Sequence, residues 1–255
     1  MSLPMNQAVS EYSNKRAWEE VGPFLSHRAP CKSPKSGEAP IVKKLNQGLL
    51  TGLYAVTPDL ADTALLLAKT RAALGGGARL LQYRNKTADE SLRSEQAAAL
   101  RELCRRQGAM LIINDHVELA RAIDADGVHV GADDASVMTA RTQVGSGKII
   151  GVSCYNDLQR AQSAAAQGAD YVAFGGFFAS SVKPGAVRAP LSILQAARQQ
   201  TGLPVVAIGG ITLDNAGELI HAGADAIAVI SALFAAPDIE IAARKFCQLF
   251  QVKTA

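Results

Sequence analysis

Between residues 50 and 230, apolar residues gather in short runs at regular intervals, and after each run small and aliphatic residues recur at helical spacing. The runs predict strands at 52–57, 79–84, 110–114, 127–130, 149–153, 171–174, 205–208 and 226–230. The stretches between and after them predict helices at about 60–74, 88–107, 116–123, 135–144, 156–167, 190–201, 213–222 and 238–251. Several of the strand runs are continuously apolar rather than alternating, as strands covered on both faces require. Strict alternation of strand and helix demands a parallel sheet, because neighbouring parallel strands need a crossover between them. Eight such units favour closure into a single (β/α)8 TIM barrel, of class α/β, over an open doubly wound sheet.

Punctuation between the elements agrees. Gly-Ala precedes a strand at Gly77-Ala78, Gly168-Ala169 and Gly223-Ala224, where glycine suits the position just past a helix end. The Gly75-Gly76-Gly77 run has the composition of a phosphate loop, but it ends a helix and opens a strand, so it reads as a helix stop. Residues 1–46 lack the repeating pattern and contain the Pro- and Ser-rich stretch APCKSPKSGEAP. They are expected to form a non-barrel N-terminal extension or linker, partly ordered, in which Trp18, Val21 and Leu25 share one helical face. The catalytic barrel is expected over 47–255.

Composition narrows the classes of function. Hydrophobic residues make up 48% of the chain and aromatic residues 5%, a balance suited to tight helix–sheet packing. The net charge of +3 is small and the cations form no basic face, so no nucleic-acid partner is expected. No apolar run approaches the roughly 18 residues of a membrane span, and no signal-peptide core opens the chain. Cys31, Cys104, Cys154 and Cys247 lie far apart without a CxxC pair, which argues against structural zinc and leaves a cytoplasmic location as the default. Monomer and homo-oligomer both stay open.

In an α/β barrel the functional groups collect at the C-terminal ends of the strands. At the second strand end, Gln82, Arg84 and Lys86 alternate onto one face, placing an amide and two cations at the barrel mouth. The third strand ends in Asn114-Asp115, and Asp133-Asp134 follow the fourth. Asp134 lies nineteen positions after Asp115, and Ser153 nineteen beyond that, so each βα step delivers one polar group to the rim. Carboxylates on adjacent strands are hard oxygen ligands suited to Mg²⁺ and phosphate oxygens. Asp134 is read as the metal ligand and Asp133 as a helix cap. The loop after strand six carries Ser180-Ser181-Val182-Lys183, and strands seven and eight end in Gly209-Gly210 and Ile230-Ser231. Such loops commonly hold a phosphate ester. The partners expected are therefore phosphorylated small molecules.

The motifs QYRNK, IINDH, GVHVGADD, GVSCYN, the SSVK loop, AIGGIT and AVISALF, in this order and spacing, closely resemble the thiamine phosphate synthase family over about residues 52–250. The resemblance implies a transferase. Its pyrimidine diphosphate would be held by Gln82, Tyr83, Arg84, Asn85, Lys86, Asn114, Ser153 and Lys183, and Mg²⁺ by Asp115 and Asp134. Arg84, Lys86, Ser153 and Lys183 would act on the departing diphosphate. A thiazole phosphate would lie against Ser180, Ser181, Val182, Gly210, Ile230 and Ser231. Many relatives have Thr-x-Thr where Ser180 and Val182 stand, and valine has no hydroxyl to donate.

Among the histidines, His129 is expected as a hydrogen-bonded group inside the barrel, His116 as a neighbour that could tune the site, and His27 and His221 as structural or solvated. Two rivals share the scaffold. A thiazole tautomerase-like isomerase would not need the full set of cations and carboxylates, and a non-catalytic phosphate sensor would not need carboxylates at metal spacing.

Overall fold

The computed structural model describes residues 50–131, 134–179 and 188–251. Eight parallel strands close into a barrel in chain order, with the last strand pairing the first. The strands are β1 (Gly52–Val56), β2 (Leu80–Tyr83), β3 (Met110–Asn114), β4 (Gly127–Val130), β5 (Ile149–Tyr155), β6 (Tyr171–Gly175), β7 (Val205–Ile208) and β8 (Ala226–Val229). Among the described residues the helices are α1 (Thr63–Gly75), α2 (Glu90–Gln107), α3 (Val117–Ala122), α4 (Val137–Val144), α5 (Leu158–Ala166), α6 (Ser192–Thr201), α7 (Ala216–His221), α8 (Ser231–Phe234) and α9 (Ile239–Gln251). None of them is long and apolar enough to cross a membrane.

Every strand and helix expected between residues 52 and 251 is present, with ends displaced by a few residues for local reasons; the extension expected over residues 1–46, with Trp18, Val21 and Leu25, lies outside the described residues. Helix α4 begins at Val137 because the Ser136 hydroxyl accepts the Thr139 N–H. The cap expected of Asp133 is therefore supplied by Ser136, and Asp133 itself lies outside the described residues. Strand β5 runs two residues further than expected, through a register shift between Ser153 and Tyr155. Helix α8 is an addition: a single turn at the exit of β8, too short to show a periodic pattern.

Alternation along the strands divides the core in two. Leu53, Ala55, Leu81, Ile113 and Val128 face outward and pack with helix residues such as Leu66, Leu100 and Phe246. Tyr54, Val56, Leu80, Ile112, Ile149, Tyr171, Val206 and Ala228 form a second cluster with no helical members, which is the barrel interior, closed below by Leu50. A β-carbon at Gly151 would lie 2.0 Å from the Tyr171 ring, so glycine in β5 is what admits a tyrosine to the interior.

The N-terminal end of the barrel is tied by a repeated device. Asp126, Asp170 and Asp225 stand just before β4, β6 and β8. Their carboxylates accept the backbone N–H groups of Leu111, Ile150 and Val205 at the starts of β3, β5 and β7. Each also pairs with an arginine from a neighbouring helix: Arg101, Arg141 and Arg198 respectively. The glycines before β2, β6 and β8 (Gly77, Gly168 and Gly223) all have positive φ, as helix-terminating positions favour.

Candidate active site

At the opposite, C-terminal end of the strands lies a cavity of about 890 Å³, within the range of small-molecule sites. Gln82, Arg84 and Lys86 line it together, as the alternation along β2 predicts. Tyr83 and Asn85, expected beside them, turn the other way. The Tyr83 hydroxyl donates to Gln96 of α2 at 2.8 Å, and the Asn85 amide donates to Leu60 O and Gln96 while its oxygen accepts Thr87 and Ala88 N–H. Both brace the loop that carries Arg84 and Lys86, and neither lines the main cavity. A hydroxyl in the β1 exit holds this loop from the other side: Thr57 Oγ1 accepts Arg84 N–H and donates to Arg84 O.

Arg84 is not a free cation. It pairs with Asp59 at 3.1 Å, and Asp59 also accepts the Lys86 N–H at 2.8 Å. Asp59 was missed from the sequence, since it lies in the first βα loop where Thr-Pro-Asp reads as a turn. It aims the guanidinium and sets its resting partner.

Asp115 and Asp134 meet across the mouth from β3 and β4 and both line the cavity. Burial, and after it the hydrogen bond and charge of Asp134, push the Asp115 carboxyl up to about 6, against the pull of Lys86. Lys86 Nζ stands 3.8 Å from Asp115 Oδ2. Asp134 is anchored by Gly131 N–H at 2.6 Å, and a β-carbon at Gly131 would lie 2.7 Å from that same oxygen. Asp115 itself has φ 63°, unusual for a residue with a side chain, within a tight turn in which His116 N–H donates to Asn114 O. Two carboxylates brought together at an oxygen-rich rim are a donor set that a hard divalent cation fits. Among the described residues no cluster of three or more such ligands exists, so the cation would complete its shell with substrate oxygens and water.

Ser153 lines the same cavity just before the register shift in β5. Arg160 of α5 fixes this rim by donating to Ser153 O at 2.7 Å and Gly131 O at 2.8 Å. Beneath Ser153 lies His129, buried inside the barrel as expected, with Nε2 2.8 Å from Ser153 Oγ and Nδ1 2.9 Å from the Tyr171 hydroxyl. Burial holds the imidazole down to about 4, so it is neutral near pH 7.

The far side of the cavity is apolar and backbone-rich. Gly210, Ile230 and Ser231 line it with Gly176, Phe178 and Gly209. At Gly210, φ is 66° and a β-carbon would lie 2.4 Å from Ala179 O, so this glycine lets the β6 exit loop pass against the β7 exit. Ser180, Ser181, Val182 and Lys183 lie outside the described residues.

A sequence model described as Thiamine monophosphate synthase matches residues 53–233. The chain belongs to the thiamine monophosphate synthase family. It is 58% identical over 201 residues to the thiamine-phosphate synthase of Methylobacillus flagellatus, covering 79% of this chain and 96% of that one. The thiamine-phosphate synthase of Azoarcus sp. is 59% identical over 189 residues, covering 74% of this chain and 92% of the relative. A solved thiamine phosphate pyrophosphorylase from Pyrococcus furiosus superposes with a TM-score of 0.72 at 35% identity, covering 83% of this chain and all of its own.

Family membership makes the chain a transferase that releases diphosphate, and the cavity is where its polar groups converge. The sequence assigned no role to Tyr54, Asn156 or Thr212, which line that cavity. Tyr54 carried no signal because an interior tyrosine in an apolar run reads as core.

Proposed function

We propose that this member of the thiamine monophosphate synthase family couples 4-amino-2-methyl-5-(diphosphooxymethyl)pyrimidine to 4-methyl-5-(2-phosphoethyl)thiazole, or its carboxylated form. The products are thiamine phosphate and diphosphate, and the reaction depends on Mg²⁺. The observation that carries this reading is the gathering of two cations, Arg84 and Lys86, and the Asp115–Asp134 pair at one end of a single cavity. That arrangement is made for a polyanion bound with a divalent ion. The other end, lined by Gly210, Ile230 and Ser231, supplies backbone and a hydroxyl for a simple phosphate ester.

In the proposed reaction the bond from the pyrimidine methylene carbon to the diphosphate oxygen breaks, and its electron pair leaves with diphosphate. The aminopyrimidine ring stabilises the resulting cation until the thiazole nitrogen donates its lone pair to the methylene carbon. Protein groups need only hold the partners and stabilise the charge that grows on the leaving oxygen. Arg84 and Lys86 do so by charge-assisted hydrogen bonds, joined by Lys183, whose part is inferred from the resemblance alone. Gln82, Asn114 and Ser153 orient the pyrimidine half. Asp115 and Asp134 would hold Mg²⁺, which when bound neutralises diphosphate charge as a Lewis acid. No nucleophile from the protein is required.

The test is to mix purified protein with both phosphorylated halves and Mg²⁺ and follow diphosphate release. Release that requires both the thiazole and Mg²⁺, with thiamine phosphate formed in equal amount, is expected. A lack of coupled product at substrate saturation would overturn the assignment.

A further inference from the structure

A continuous chain of hydrogen bonds crosses the barrel interior below the cavity. The Gln82 amide nitrogen lies 2.9 Å from the Tyr54 hydroxyl, which lies 2.9 Å from the Tyr171 hydroxyl. Tyr171 lies 2.9 Å from His129 Nδ1, and His129 Nε2 lies 2.8 Å from Ser153 Oγ. The five residues come from β2, β1, β6, β4 and β5, and the Tyr171 and His129 rings stack with centroids 5.5 Å apart. Only the two ends and their neighbours reach the cavity: Gln82, Tyr54, His129 and Ser153 line it, whereas Tyr171 does not and is fully buried.

We propose that Tyr54, Tyr171 and His129 are positioning residues that form a one-way hydrogen-bond relay, holding His129 in its Nε2–H tautomer and leaving the Ser153 hydroxyl hydrogen free for an anionic oxygen in the cavity. The direction follows from counting hydrogens. A phenol has one hydrogen to donate, and a neutral imidazole has one N–H and one lone-pair nitrogen. With the Gln82 amide donating to Tyr54, the Tyr54 hydrogen goes to Tyr171 and the Tyr171 hydrogen goes to His129 Nδ1. The ring proton then sits on Nε2 and is donated to Ser153 Oγ. Each contact receives one hydrogen and none is orphaned in the interior, where an unmade bond is costly. Were Tyr171 instead to accept from His129, its own hydrogen would either find no acceptor or go to Tyr54, and the Tyr54 hydrogen would then have no buried acceptor short of reversing the amide. In that reversed chain the Ser153 hydrogen would be consumed by His129 and Ser153 could not donate to an anion. Both ring nitrogens of the buried His129 meet hydroxyls and no carboxylate, so a neutral imidazole satisfies every contact and gives the chain a defined direction. Its two unspent ends, Gln82 Oε1 and the Ser153 hydroxyl hydrogen, belong to residues that face the ligand space.

The assignment of the freed hydrogen to diphosphate rests on the proposed function, whereas the tautomer does not. The first test is therefore made on the free protein with ¹⁵N-labelled histidine. Long-range ¹H–¹⁵N correlations near pH 7 should show His129, identified by its loss in His129→Gln, protonated on Nε2 with Nδ1 accepting. Protonation on Nδ1, or on both nitrogens, overturns the relay. The second test is a double-mutant cycle on the affinity for inorganic diphosphate with Mg²⁺. Tyr171→Phe, which leaves the cavity lining intact, should weaken binding about tenfold in the wild-type background and less than about twofold when Ser153 is already alanine. An equal loss in both backgrounds means that Tyr171 does not act through Ser153 and overturns the positioning role. If the wild type binds no diphosphate at all, the proposed function fails while the tautomer result still decides the direction of the relay.

Discussion

Asp115 combines three costly features at one position: φ 63°, partial burial, and a second carboxylate in contact. Strain and like-charge crowding persist where the surroundings enforce them, and here the Asp115 N–H bond to His129 O and the His116 N–H bond to Asn114 O do so. Relieving the crowding costs function rather than stability. Asp115→Asn is expected to lower Mg²⁺-dependent turnover by at least about a hundredfold while leaving the melting temperature unchanged or raised. Steady-state rates across a Mg²⁺ titration with parallel calorimetry check this, and near-normal turnover would remove Asp115 from the metal site. His129 makes the complementary prediction about pH. Its folded value of about 4 lies below the unfolded value near 6.5, so as pH falls the unfolded chain takes up the proton first. The contribution to stability is thus complete above about pH 6.5, declines as pH drops toward 4, and is constant below that. Between about pH 7 and pH 5 the wild type should lose about 2 kcal/mol more than His129→Gln, compared by urea denaturation. Equal losses would mean that the imidazole is already charged or exposed in the native state.

The two ends of each strand do different work. At the N-terminal end, Asp126, Asp170 and Asp225 each bind a backbone N–H of the preceding strand and an arginine, so removing one leaves the strand donor without its acceptor and takes a carboxylate from the arginine. Asp170→Ala should destabilise the barrel by about 1–3 kcal/mol, because the Ile150 N–H loses its acceptor and Arg141 loses its carboxylate, keeping only carbonyl oxygens such as Gly145 O and Gly168 O. Turnover per folded molecule should stay within about twofold, since the cavity is at the other end; a large loss in kcat at temperatures where the variant is fully folded would contradict this division. The strands and the order of rim residues were legible because burial on both faces imposes continuous apolar runs, and each run is followed at once by its polar rim groups. Gln82, Arg84, Lys86, Asp115, Asp134 and Ser153 could be found that way. Tyr83 and Asn85, which came with the motif and not from the alternation, point to the other side of the strand and brace the loop from there. The Tyr54–Tyr171–His129 chain was illegible as a unit, since its members are scattered over 117 residues and join only when the sheet closes.

Closure is a property of the whole molecule, and it defines how much of the chain the activity needs. β1 pairs with both β2 and β8, and the Gly52 N–H donates to Asp225 O at 2.9 Å, so the barrel is sealed by residues from Gly52 onward. Leu50 adds one element before that. It is 1% exposed and packs in the interior cluster with Tyr54, Leu80, Ile149 and Tyr171, plugging the barrel at the end away from the cavity. The family match begins at residue 53, and the Methylobacillus relative is covered over 96% of its length by 79% of this chain. Two shortened chains separate these contributions. A chain beginning at residue 47 keeps Leu50 and should retain turnover within about twofold and an unchanged melting temperature, because every group at the rim is positioned by later residues. A chain beginning at residue 52 loses the plug and exposes the lower interior, which should cost about 2–5 kcal/mol, the range for emptying a buried leucine site. At low temperature this second chain should still turn over, since Leu50 lies at the pole opposite Asp115 and Lys86. If the chain from residue 47 is folded but inactive, residues 1–46 take part in the reaction. If both chains are equally stable, Leu50 is not the plug that its burial implies, and closure rests on the strand ladder alone.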